Sequence, residues 1–74
     1  MKKQDEINNP RSCLNKAAND EPLFVLRASD KLSPLLVELW AGLAKLHGCD
    51  QEKVAEAYRG AAAMRDWPNA KLPD

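Results

Sequence analysis

The chain has 74 residues, with eleven Lys plus Arg against eleven Asp plus Glu, one His, two Cys, two Trp, one Tyr and one Phe. That length admits one small domain, and zero net charge removes the overall attraction on which nucleic-acid and anionic-membrane binders rely. No apolar run nears the roughly 18 residues of a membrane span, and the opening Met1-Lys2-Lys3-Gln4-Asp5-Glu6 lacks a signal-peptide core, so the sequence predicts a cytoplasmic protein.

Residues 1 to 11 are polar, contain Asn8-Asn9-Pro10 and show no apolar periodicity; they read as a disordered leader to a single domain over residues 12–74. Ser12 can cap one helical turn through Cys13, Leu14, Asn15, Lys16 and Ala17, a turn too short to hold by itself. Asn19-Asp20-Glu21-Pro22 has the composition of a helix start. The run Leu23-Phe24-Val25-Leu26 that follows suits either a buried strand or a helix. With no second strand candidate in the chain, a short helix over about 20–29 is the economical expectation; a strand would require edge pairing with another chain.

Ser33-Pro34 combines a cap residue with a proline suited to the first helical position. The spacing predicts a helix over about 33–47, with Leu36, Leu39, Trp40, Leu43 and Leu46 on one face and Leu35 and Val37 widening it. A helix so broadly apolar is expected to be central, covered on two sides. Gly48 ends it, and Asp50 caps a second helix over about 50–66 whose stripe is Val54, Ala57, Tyr58, Ala61 and Met64. Its many small residues suit close approach of the Leu-rich helix, or of a second chain. Trp67-Pro68 stops this helix, leaving an extended tail.

These elements describe an all-α protein: a small helical hairpin, a preceding short helix and a disordered leader. A chain this short lies near the lower limit for a self-sufficient core, so a homodimer or higher oligomer is expected.

The inventory for catalysis is thin. Ser12, Ser29 and Ser33 are the only hydroxyl nucleophiles of the Ser/Thr type, and the single histidine forms no triad with them. The glycines stand apart at 42, 48 and 60 and build no phosphate loop. His47-x-Cys49 is half a metal site without a second half, and Cys13 and Cys49 read as reduced thiols, so neither metal nor cofactor is expected. Glu52 and Glu56, with Lys53 and Arg59 beside them, read as a solvated face. The chain is not expected to be an enzyme.

One group of residues suits binding. Arg27, Asp30 and Lys31 lie at the junction before the Leu-rich helix, whose N-terminus favours anions. Lys71 lies in the tail, and Trp67 is expected over the helix ends. An oligomer that gathered Arg27, Lys31 and Lys71 would make an anion pocket. Alternatively, Arg27 pairs with Asp30 or Glu21 and braces the helix start.

The order Asp20-Glu21-Pro22-Leu23-Phe24-Val25-Leu26-Arg27-Ala28, then Asp30-Lys31-Leu32 and Pro34, then Trp40-Ala41, then Met64, Trp67-Pro68, Lys71 and Pro73-Asp74 resembles a set of small hypothetical proteins encoded in bacteriophage and prophage genomes. The resemblance spans about residues 13 to 74. It implies expression in an infected or lysogenic bacterium and supplies no catalytic site. The leading expectation is therefore a non-enzymatic phage accessory protein that binds a host or phage protein as inhibitor or adaptor. A second is an oligomer that sequesters an anionic small molecule such as a nucleotide signal. A third, a DNA-binding regulator, is weakened by the helix from Asp50, where Asp50, Glu52, Glu56 and Asp66 outnumber Lys53, Arg59 and Arg65.

Overall fold

The structure is a computed structural model and describes residues 2–73. Among them are four helices: α1 (Lys3–Asn8), α2 (Cys13–Lys16), α3 (Ser33–Leu46) and α4 (Gln51–Arg65). Helix α1 packs on α2, and α3 on α4; neither of the first pair packs on either of the second. Among the described residues, no helix is long and apolar enough to cross a membrane.

The all-α class and the hairpin of α3 and α4 agree with the sequence. The turn between them follows from Gly48. Its φ of +74° is the left-handed conformation that glycine adopts without a Cβ penalty. With it, the Cys49 N–H donates to the Ala44 carbonyl at 3.0 Å and the Gly48 N–H to the Lys45 carbonyl at 3.1 Å. These two bonds satisfy carbonyls that the end of α3 would otherwise leave open. Asp50 then caps α4, its side chain accepting the Glu52 N–H at 3.0 Å.

Two expectations fail here. Residues 20–29 form no helix; residues 22–27 have no regular secondary structure. The Glu21 N–H donates to the Ala18 carbonyl, and the Glu21 carboxylate accepts the Ala18 N–H at 3.1 Å, so the start signal makes a turn instead. A helix of two turns repays its nucleation only by burying a face. Leu23, Phe24 and Val25 are all exposed, so nothing repays it. At the other end of the chain, Lys3–Asn8 form α1 where the sequence suggests a disordered leader. The Asn15 amide nitrogen lies 2.9 Å from the carbonyl oxygens of Glu6, Ile7 and Asn9. The buried Ser12 hydroxyl donates to the Glu6 carbonyl at 2.6 Å and accepts the Asn15 N–H at 3.2 Å, capping α2 as expected.

The core is the larger departure. Among the described residues its buried apolar members are Pro34, Ala41 and Ala44 of α3 and Val54 and Ala61 of α4. Of its expected stripe the second helix buries Val54 and Ala61 and half-buries Ala57 and Met64, while Tyr58 is exposed; the small side chains suit close approach of the two helices. What meets them is the alanine side of α3, whereas Leu35, Leu36, Leu39, Trp40, Leu43 and Leu46 are exposed. The geometry is a plain consequence of helical periodicity. At 100° per residue, Ala41 and Ala44 share one side with Val37, and those six large residues occupy the opposite side. Helix α3 is covered on one side by its own chain and on the other by nothing among the described residues.

Candidate functional site

The tail returns to the start of α3. Trp67 follows the end of α4, and Asn69 takes a left-handed φ of 62°, a conformation that asparagine tolerates better than most residues. The chain then runs beside residues 29–31 as an isolated parallel bridge between Asp30 and Lys71. The Lys31 N–H donates to the Lys71 carbonyl at 2.9 Å, and the Lys71 N–H donates to the Ser29 carbonyl at 3.0 Å.

Asp30 also organises the helix start. Its side chain accepts the Leu32 N–H at 2.8 Å, and its carbonyl accepts the Ser33 N–H at 3.1 Å. Leu32 is already helical at φ −80°, ψ −19°. The first turn therefore begins one residue earlier than Ser33-Pro34 suggests: Leu32, not Ser33, is the cap residue, no side chain among the described residues caps the turn, and Asp30 braces Leu32 from the chain before it. Ser33 lies inside the helix at 0% exposure, and its hydroxyl has no hydrogen-bond partner among the described residues.

Between the helix start, the end of α4 and the tail lies an open cleft of about 300 Å³, lined by Ala28, Asp30, Lys31, Pro34, Met64, Arg65 and Ala70. Of the five residues singled out in the sequence, Asp30 and Lys31 line it. Lys71 joins them through its main chain rather than the cleft wall. Arg27 offers its carbonyl to the Asp30 N–H at 3.0 Å, and its guanidinium makes no ion pair with Asp30 or Glu21 among the described residues. Trp67 is exposed, with its N–H bonded to the Met64 carbonyl.

Arg65 also lines the cleft, a residue that its sequence position on the second helix does not by itself join to this group. It pairs with Glu38 of α3, tying the last turn of α4 to the second turn of α3. The signal was available: an antiparallel hairpin brings the end of its second helix to the start of its first. A cation in that last turn also suits the helix dipole. With Lys31 and Arg65 against Asp30, the cleft has one more positive than negative side chain. A second, wider hollow of about 790 Å³ at the hairpin turn is lined by Lys45, Gly48, Cys49, Asp50, Gln51, Val54, Ala55 and Tyr58.

Cys13 and Cys49 are free, exposed thiols. Among the described residues no group of three or more His, Cys, Asp or Glu side chains gathers as metal ligands would. Compared with protein-family models, with curated proteins and with solved structures, the chain matches none of them.

Proposed function

We propose that this chain is a non-enzymatic accessory protein of a phage or prophage that acts in the host cytoplasm by binding a host or phage protein. The setting rests on the sequence resemblance. The binding reading is carried by one observation: Leu23, Phe24 and Val25 lie outside any helix or turn and are exposed, Phe24 at 86%. Their main-chain groups form no hydrogen bond among the described residues. A segment in that state suits addition to the edge of a partner's sheet, where its backbone supplies the hydrogen bonds and alternate side chains fill pockets. Affinity capture from infected cells tests it, comparing the native chain with Phe24→Asp and Val25→Pro. The expected result is a defined foreign polypeptide in stoichiometric amount with the native chain and its loss with both variants. Recovery of the chain alone rejects the proposal.

A second reading, an oligomer that holds an anionic small molecule such as a nucleotide signal, is favoured by a different observation. Lys31 and Arg65 line one cleft at the N-terminal end of α3, and the tail runs alongside. Thermal-shift measurements with cyclic and linear nucleotides test it. A stabilising ligand whose effect disappears in Lys31→Glu supports it, and no shift with any nucleotide at saturating concentration removes it.

A further inference from the structure

We propose that the outer face of α3, formed by Leu35, Leu36, Leu39, Trp40, Leu43 and Leu46, is an interface between copies of this chain. The inference is separate from the binding role of residues 23–25, which lie outside α3.

The first argument is area. The chain exposes 6389 Å². A folded monomer of its mass, 8.2 kDa, exposes about 4,500 Å². The excess of about 1,900 Å² is more than twice the roughly 800 Å² that each partner contributes to a standard interface. Residues 22–27, the tail and the N-terminal helix pair, which does not pack on the hairpin, account for part of that excess. The outer face of α3 is its most concentrated apolar part, with Leu39 exposed at 60%, Trp40 at 54% and Leu46 at 78%.

The second argument is pattern. The six side chains span about 140° of the helix circumference without a charged residue among them. Glu38 and Lys45 fall on the flank toward α4. A broad apolar centre from which charge is excluded is the composition of homodimer interfaces rather than of transient ones.

The third argument identifies the occupant. Among the described residues the buried apolar side chains are three alanines, one valine and Pro34, too little to hold two helices together. The cover on α3 is thus a condition of folding, not an option added afterwards. A second copy is the one polypeptide present wherever and whenever the chain is made. Zero net charge places no overall repulsion between copies.

Sedimentation equilibrium and thermal melts of the intact chain from about 1 to about 100 µM test the proposal. The expected result is a mass at least twice that of one chain, with a melting temperature that rises with concentration. Trp67→Phe leaves Trp40 as the single indole, so its emission reports on this face. On dilution it should shift to the red in step with the fall in mass, and Leu39→Glu should show the red-shifted emission and the single-chain mass at every concentration. A native chain that stays at the mass of one chain, with a melting temperature independent of concentration, overturns the proposal and leaves a foreign polypeptide as the cover. A mass that falls on dilution while Trp40 emission stays constant also overturns it, because the interface then lies elsewhere. Neither outcome touches the capture experiment on Phe24, so the two proposals fail separately.

Discussion

Lys71 closes its main chain on Lys31: its carbonyl takes the Lys31 N–H at 2.9 Å while its own N–H reaches back to Ser29 at 3.0 Å. Two bonds therefore fasten the tail across the residues that start α3. Deleting residues 71–74 removes both. The expected outcome is loss of exchange protection at the Lys31 amide and of about 1 to 3 kcal/mol of stability, taking each bond at its usual net worth. Hydrogen exchange read residue by residue checks this, and a Lys31 amide that stays protected would contradict the bonding.

Among the described residues, Asp50 is the only side chain bonded to a free N–H of the first turn of α4. Asp50→Ala should cost about 1 kcal/mol in urea unfolding, whereas Asp50→Asn, which keeps an accepting oxygen, should cost a few tenths. Equal losses for the two would show that charge rather than the hydrogen bond matters.

Gly48 and Gly60 should respond oppositely to alanine. At Gly48 the positive φ penalises any Cβ, and Gly48→Ala should destabilise by about 1 kcal/mol. In the interior of α4, a Cβ on Gly60 would meet nothing within 4 Å, so Gly60→Ala should stabilise by about 1 kcal/mol through helix propensity. Thermal denaturation of both variants decides. A destabilised Gly60→Ala would mean that another chain lies against α4 at that point.

Arg27 and Arg65 separate binding from bracing. Arg27 has no ion-pair partner among the described residues, so Arg27→Glu should leave the melting temperature unchanged. Arg65 pairs with Glu38 on a half-exposed surface, where solvent screening limits such pairs to a fraction of a kcal/mol. Arg65→Gln should therefore lower stability by less than about 1 kcal/mol, and a larger fall would show that the pair does more than an exposed bridge does.

The local punctuation of the chain was legible. Ser12 caps α2, Gly48 ends α3 and Asp50 starts α4 as their chemistry requires, because each acts on its immediate neighbours. What periodicity could not give was which apolar side of α3 would meet α4. Both sides are apolar, one of alanine and valine and one of leucine and tryptophan, and the choice is made by how closely the backbones approach. The 20–29 segment misled for a related reason. Its start signal is real, but without a surface to cover the run does not wind into a helix. Asp30 and Lys31 were found in the candidate cleft because they stand beside a helix start, while Arg65 required the hairpin to be folded in thought first.

The separation of α1 and α2 from α3 and α4 has a consequence for cleavage and for change in length. Ser12 and Asn15 bind the first pair entirely to themselves, and residues 18–27 join the two pairs as chain that is exposed except at the half-buried Leu26. A protease acting between Ala18 and Arg27 would cut where neither helix pair is crossed, and insertions there would leave both pairs intact. The N-terminal pair is in that sense an exchangeable attachment: its length and sequence can vary, or be replaced, without any adjustment in the hairpin that follows.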